Sequence, residues 1–174
     1  MPIHLEELDV VSKVEDTDSA LIAACNMCAG ASLAMGEEKP FLQLFNSLLK
    51  SPPLERHIER LQSQLLEKGV KTTKFEAGVI QQFFLCLWTS RQRKKLQDQA
   101  KAYDAVIVLG CDSAIKTVRD SLNGTDCRVV QGMEVAGIMN TKTKFHWPFD
   151  ISFEASKVVP MCDHHCERFS QHSQ

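Results

Sequence analysis

Residues 20–32 read ALIAACNMCAGAS, and this stretch decides the predicted fold. Its apolar part, residues 20–24, stops at Cys25, and Cys28 follows just before small residues that allow a tight turn. An apolar run that ends at a turn is typical of a buried strand. In open α/β sheets, binding sites collect at the carboxyl ends of the strands. The stretch therefore predicts a Cys-x-x-Cys pair at the functional edge of a sheet.

The amino-acid composition of the 174-residue chain is that of an ordinary globular protein, with 44% hydrophobic and 24% charged residues. Its formal net charge of −2 at pH 7 gives no general attraction to nucleic acid or to an anionic membrane. No apolar run approaches the roughly 20 residues that span a bilayer. Residues 1–19 are acidic and have no apolar run of a secretory signal. We therefore expect a cytoplasmic protein with no nucleic-acid or membrane partner.

Seven cysteines are present. Disulfides are disfavoured in the cytoplasm, and an odd number of cysteines cannot be fully paired within one chain. The cysteine count therefore favours a metal or redox role over structural bridges.

Apolar runs alternate with helical periodicity along the rest of the chain. Strands are predicted at residues 20–24, 79–85, 105–109 and 127–131, and helices at residues 41–49, 54–68, 90–103 and 114–122. This order predicts an α/β fold of three layers, with a mostly parallel sheet of about four to five strands and helices on both faces. We divide the chain into an acidic N-terminal segment (1–19), an α/β metal-binding domain (20–145) and a C-terminal arm with a Cys/His tail (146–174).

Three of the predicted strands run into cysteine, at Cys25 (with Cys28 one turn later), at Cys86 and at Cys111. Neighbouring strands lie about 5 Å apart, so thiols at their ends can reach one ion. Four thiolates suit Zn²⁺ or an iron–sulfur cluster. Helix N-termini after Cys28 and Cys111 favour the thiolate form. The sequence therefore predicts a metal site formed by Cys25, Cys28, Cys86 and Cys111.

Other interpretations of these residues stay open. Cys86 or Cys111, taken singly, is as well explained by packing, and Cys25-x-x-Cys28 alone also fits a thioredoxin-like redox pair. Asp112 is an alternative ligand or an acceptor behind the ligands. Cys127 begins its strand, so it belongs to the opposite edge and is predicted to be a core residue.

Three further segments are candidates for function. The tail residues Cys162, His164, His165 and Cys166 can supply two or three ligands to a second metal site, although a closed site needs four. The basic run 91–95 is typical of a solvated helix face, with recognition of an anion or acidic partner as the alternative. The aromatic stretch 147–153, interrupted by a proline, predicts an edge strand or an extended arm that could bind a partner.

Residues 108–118, VLGCDSAIKTV, resemble a family. The pattern of a hydrophobic strand followed by Gly/Ala-Cys-Gly-x-Gly-Val-Gln-Thr-Val is found in the C-terminal-like domain associated with methylenetetrahydrofolate reductases of anaerobic bacteria. The family also has a cysteine pair after its first strand, which Cys25 and Cys28 match. Within the quoted pattern, the matching residues are Cys111, Thr117 and Val118. Two glycines of the pattern are replaced by Asp112 and Ala114, and its glutamine is replaced by Lys116. The resemblance implies a metal-carrying accessory subunit of methyl or folate chemistry.

These observations predict a zinc-binding accessory protein or subunit in anaerobic one-carbon or methyl-transfer metabolism, linked to folate or corrinoid. Its expected partner is a protein of a methyltransferase or reductase system, and a homodimer is left open. One alternative is an iron–sulfur electron-transfer module. A second is a zinc-dependent methyltransferase-like enzyme, in which three cysteines bind the ion and one position stays open.

Overall fold

The computed structural model describes residues 3–37, 40–43, 51–78, 81–147 and 150–160. The strands are β1 (Ile3–Glu7), β2 (Ser19–Ala24), β3 (Leu42–Gln43), β4 (Lys71–Lys74), β5 (Ala105–Leu109), β6 (Arg128–Gln131), β7 (Met133–His146) and β8 (Asp150–Pro160). The helices are α1 (Val11–Val14), α2 (Cys28–Glu37), α3 (Pro52–Glu67), α4 (Ser90–Ala100) and α5 (Asp112–Ser121), with a 3₁₀ helix at Leu85–Leu87.

Four strands form an all-parallel sheet in the order β4-β2-β5-β6. All five residues of β5, AVIVL, are buried, as expected for a central strand of a parallel sheet covered on both faces. β2 pairs with β5 in a register that sets Ala24 opposite Leu109. The carboxyl ends of these two strands therefore lie at the same level of the sheet.

Helix α3 illustrates how the helices of this half form. Its first turn holds Pro52 and Pro53, which suit a helix start because their missing N–H groups would have no partner there. Its apolar face, spaced at three and four residues, is buried. Gly69, at φ +85°, follows the C-cap residue Lys68 in the left-handed region that favours glycine. The sequence predicted this helix correctly.

The other sheet is antiparallel, in the order β1-β7-β8-β3. β7 and β8 form a long hairpin, with Phe145 opposite Ile151 near its turn and Gly137 opposite Pro160 at its far end. β1 pairs with the first half of β7, and the two-residue β3 pairs with the start of β8.

Helix α2 joins the two sheets. Ala29 lies in the main core with the parallel sheet, whereas Ala31 and Ala34 pack in a second cluster with Phe41 and Met139. Ser32 accepts a hydrogen bond from the backbone N–H of Leu5 in β1 (2.9 Å). The small, mostly apolar residues of α2 fit a helix that is buried on several sides.

The predicted single three-layer, mostly parallel sheet with helices on both faces is wrong, because the strands are divided between a parallel and an antiparallel sheet. Most of the residues of β7 and β8 lack the apolar alternation that marks a strand, because much of the hairpin is exposed to solvent. Their pairing depends on backbone hydrogen bonds, which the residue pattern does not reveal.

The predicted strand at residues 79–85 is also wrong. Residues 81–83 form a turn and Leu85–Leu87 a 3₁₀ helix, while residues 79–80 lie outside the described ranges. Most of the predicted helix at 41–49 lies outside them too. Within the described ranges, no helix combines the length and the apolar character needed to cross a membrane. The division at residues 19 and 145 stays a prediction.

Candidate functional site

Cys25 and Cys111 are brought together by the register of the parallel sheet. Cys25 directly follows β2, and its backbone N–H donates to the carbonyl of Leu109 at the end of β5 (2.8 Å). Gly110 allows the close approach that follows, because a Cβ at this position would lie only 3.3 Å from Cys25 Cβ and 3.0 Å from Ala114 Cβ. Cys111 is then the N-cap residue of α5. Both cysteines are buried.

Cys28 lies in the first turn of α2, three residues after Cys25. Hydrogen bonding with the Cys111 side chain, and then with that of Cys25, raises the pKa of Cys28, and burial raises it further. The protonated form of Cys28 is therefore favoured, and the prediction that the helix start favours its thiolate is wrong. We call Cys25, Cys28 and Cys111 the thiol cluster.

The other two members of the thiol cluster favour the thiolate. Hydrogen bonding with Cys28 lowers the pKa of Cys111 to about 5, helped by the backbone N–H groups of Ala114 and Ser113 at the start of α5 and opposed by burial. The same interaction with Cys28 lowers the pKa of Cys25 to about 7, again against burial and with help from backbone N–H groups, that of Leu85 first.

Cys86 is beside the thiol cluster but is not part of it. It lies in the 3₁₀ helix and is exposed, so the prediction that it ends a strand is wrong. Partial desolvation raises its pKa, and the charges of Cys25 and Cys111 raise it further. Cys86 is therefore within electrostatic reach of both thiols without sharing a proton with them.

No three His, Cys, Asp or Glu side chains in the described part of the chain are arranged to hold a metal ion. The structure thus places Cys25 and Cys111 at the same end of neighbouring strands, with Cys28 in the first turn of the helix that follows Cys25. The donor set itself suits zinc, since it consists of thiols and two of them have lowered pKa values. The four-cysteine metal site stays a prediction.

Residues 81–84, which lie within a predicted strand, form a loop that covers the thiol cluster. The Cys25 thiol, when protonated, donates to the carbonyl of Phe83 (3.3 Å), and the backbone N–H of Asn26 donates to the carbonyl of Gln82 (2.8 Å). Gln82 in turn donates to the Glu76 carboxylate (2.8 Å). Two adjacent glutamines within an otherwise apolar run were the available signal that this segment is not a buried strand.

Asn26, between the first two cysteines, is a second residue that sequence reasoning missed. It is 1% exposed, and its side-chain Nδ2 has no hydrogen-bond partner among the described residues. The only available signal was its place in a turn before a helix, where asparagine is common.

The remaining sequence predictions have mixed outcomes. Cys127 precedes β6 at the opposite end of the parallel strands, as predicted, but it is half-buried against the main core rather than inside it. Asp112, the alternative ligand, is exposed as the first residue of α5. The tail residues Cys162, His164, His165 and Cys166 lie outside the described ranges.

The basic run 91–95 lies in the first half of α4. It contacts Trp88 and residues 75–76, which directly follow β4. Arg93 donates to the carbonyl of Trp88 (3.3 Å), and Lys95 donates to the carbonyl of Glu76 (2.5 Å) and lies 5.8 Å from the centre of the Phe75 ring. Arg91 and Lys95 line a depression of about 440 Å³. Anion recognition there stays a prediction.

Comparisons of this chain with protein-family models, with curated proteins and with solved structures found no match. The fold and the site define it as an α/β protein with a thiol cluster at the carboxyl edge of its parallel sheet.

Proposed function

We propose that the thiol cluster is a zinc site, in which Cys25, Cys28 and Cys111 hold Zn²⁺ with Cys86 as the fourth ligand. The single observation that carries this proposal is the register of β2 and β5. It sets Cys25 and Cys111 at one level of the sheet, and Cys28 follows Cys25 by three residues in the first turn of α2. Soft thiolate ligands of this kind select zinc or iron–sulfur clusters over hard cations.

The residues around the cluster support deprotonation, which zinc binding requires. Cys111 needs no help at neutral pH, because the start of α5 and Cys28 already lower its pKa to about 5. Cys28 and Cys86 are the thiols whose protons the ion has to displace, since their pKa values are raised. An ion held by four thiolates is coordinatively closed and stabilises the fold or a docking surface rather than performing hydrolysis.

Three-cysteine binding is the second candidate, and the position of Cys86 favours it. Cys86 is exposed on a short 3₁₀ helix and makes no hydrogen bond to the other thiols. If Cys86 remains outside, the ion keeps an open position at which a substrate thiolate or oxygen can be activated. This is the chemistry of a methyltransferase-like enzyme.

The accessory role in one-carbon or methyl-transfer metabolism is proposed on the resemblance of residues 108–118 alone. The same resemblance supports a methyltransferase or reductase protein as the partner. A closed four-thiolate site fits such a subunit, because it needs no substrate position of its own.

Titration of the reduced, metal-free protein with Co²⁺ and Zn²⁺ tests the proposal. Trp88 is buried, packs on Phe75 (5.3 Å between ring centroids) and lies two residues after Cys86, so its fluorescence reports on this loop. The exposed Trp147 is removed by Trp147→Phe. We expect one equivalent of Co²⁺ to give thiolate charge-transfer absorption and a change in Trp88 fluorescence.

Matched cysteine variants separate the candidates. Cys127→Ser, at the opposite edge, is the control and should leave metal binding unchanged. Loss of binding in Cys111→Ser but not in Cys86→Ser supports the open three-cysteine site, and loss in both supports the closed one. Iron with acid-labile sulfide and a brown colour after anaerobic purification would assign the cluster to the iron–sulfur alternative. Wild-type protein that binds neither metal would overturn the proposal.

A further inference from the structure

We infer that the depression beside α4 binds a phosphate group, either as the free ion or as part of a small organic molecule. We call it the basic depression, and its lining residues are Ala77, Gln81, Arg91, Gln92 and Lys95. No member of the thiol cluster lines it. The inference therefore stands apart from the proposed zinc site and needs no bound metal.

The positive charge at the start of α4 is not balanced by ion pairs. Within the described ranges, none is formed by the cationic side chains of the basic run, which are Arg91, Arg93, Lys94 and Lys95. The acidic side chains of the adjoining segments are engaged elsewhere. The Glu76 carboxylate accepts from Gln82 (2.8 Å), and Asp98 pairs with Lys101 (3.0 Å). The uncompensated charge attracts an anion from solution.

The α4 side of the basic depression offers three hydrogen-bond donors. Arg91 presents a guanidinium group, whose N–H fork matches the oxygens of phosphate. The hydroxyl of Thr89 donates to Oε1 of Gln92, which leaves the NH₂ group of Gln92 as a donor. Lys95 uses one N–H on the carbonyl of Glu76 (2.5 Å) and keeps two. Such a set suits the several oxygens of one phosphate group.

The loop side of the basic depression is fixed by contacts that do not involve a ligand. The indole N–H of Trp88 donates to the carbonyl of Gln81 (2.8 Å), and the backbone N–H of Gln82 donates to the carbonyl of Gly78 (3.1 Å). Gly78 has φ +111°, and a Cβ there would lie 2.5 Å from Oε1 of Gln81. The Gln81 side chain thus occupies space that only glycine leaves open. A wall that is already ordered lowers the entropy cost of binding.

The size of the basic depression favours a small molecule over a protein segment. Its volume of about 440 Å³ lies within the range of small-molecule pockets. Arg91, Gln92 and Lys95 bound it from α4, and Ala77 and Gln81 bound it from the other side. A phosphate ion alone would leave room in this volume for an attached organic group.

Calorimetric titration of the full chain with inorganic phosphate and with glycerol 3-phosphate, at constant ionic strength, tests the inference. We expect saturable binding of one equivalent. Because Trp88 contacts Gln81, its fluorescence should change in the Trp147→Phe background. Tighter binding of glycerol 3-phosphate would assign the site to a phosphorylated molecule, and equal binding would assign it to the free ion.

A matched pair of variants separates a site from general attraction. Arg91→Gln should weaken binding about tenfold or more, through the loss of charge-assisted hydrogen bonds. Arg91 is exposed and makes no hydrogen bond or ion pair with the described residues, so the variant should fold normally. Lys94→Gln removes the same charge from the same helix outside the lining, and it should leave affinity within about twofold.

Equal weakening by the two variants would overturn the inference, since it would show only diffuse electrostatic attraction. So would the absence of binding by either phosphate compound, or binding of citrate as tightly as phosphate. None of these outcomes depends on the titration with Co²⁺ and Zn²⁺, so the basic depression and the zinc site stand or fall separately.

Discussion

Cys28 decides how protons are distributed within the thiol cluster. Its pKa is raised while those of Cys25 and Cys111 are lowered, and the first cause of all three shifts is hydrogen bonding among these side chains. These shifts favour a protonated Cys28 and negative charge on Cys25 and Cys111. The sequence predicted the helix start that assists Cys111, but not the raised pKa of Cys28, because its first cause is Cys111, which lies 83 positions away.

Stability should depend on pH through Cys111. Its pKa falls from an ordinary value of 9.0 in the unfolded chain to about 5 in the folded one, so between these values the unfolded chain binds more protons. The free energy of unfolding should therefore rise with pH over this range, and the contribution is lost as the pH falls through about 5. Urea unfolding of the reduced, metal-free protein should show this rise. Cys111→Ser should show a shallower one, and equal slopes would contradict the assignment.

At the level of elements, β5 and the segment after Gly78 show what a residue pattern can and cannot predict. β5 was predicted with its observed bounds, because a short, continuous, β-branched run is typical of a buried strand at the centre of a parallel sheet. The segment at 79–85 has a similar apolar content, but it contains two glutamines and follows Gly78 at φ +111°. Residues 81–84 form part of a covering loop instead, and Cys86 lies in the 3₁₀ helix that follows.

The two sheets should differ in their sensitivity to truncation of side chains. Ile107 in β5 is fully buried, so Ile107→Ala should lower the free energy of unfolding by about 2–5 kcal/mol through lost contacts and a residual cavity. Val159 in β8 is 47% exposed, and Val159→Ala should stay within about 0.5 kcal/mol of the wild type. Chemical denaturation checks both. If Val159→Ala lowered the free energy of unfolding more than Ile107→Ala does, the hairpin rather than the parallel sheet would dominate stability.

For the whole molecule, the sequence predicted the α/β character and the parallel half but not the second sheet. Most of β7 and β8 lacks the regular apolar alternation of a half-buried strand, because much of the hairpin faces solvent. The signals that did exist were short, such as the buried Met133 and Met139 on one face of β7. α2 could not be recognised as the link between two sheets, because its small residues fit one core as well as two.

The candidate site was predictable to the extent that parallel strands meet at one edge. For Cys25 and Cys111 the rule requires only that β2 and β5 are neighbours, and the two strands pair with each other. Cys28 follows because it lies within one helical turn of Cys25. Cys86 could not be positioned in this way, because the residues before it fold as a loop whose Gln82 contacts Asn26 and Glu76.

X-ray absorption at the zinc edge, on protein loaded with one equivalent of Zn²⁺ under reducing conditions, tests the central claim most directly. The account predicts a shell of three or four sulfur atoms at about 2.3 Å, lost in Cys111→Ser and kept in Cys127→Ser. A shell made only of nitrogen and oxygen at about 2.0–2.2 Å, or no bound zinc, would contradict it.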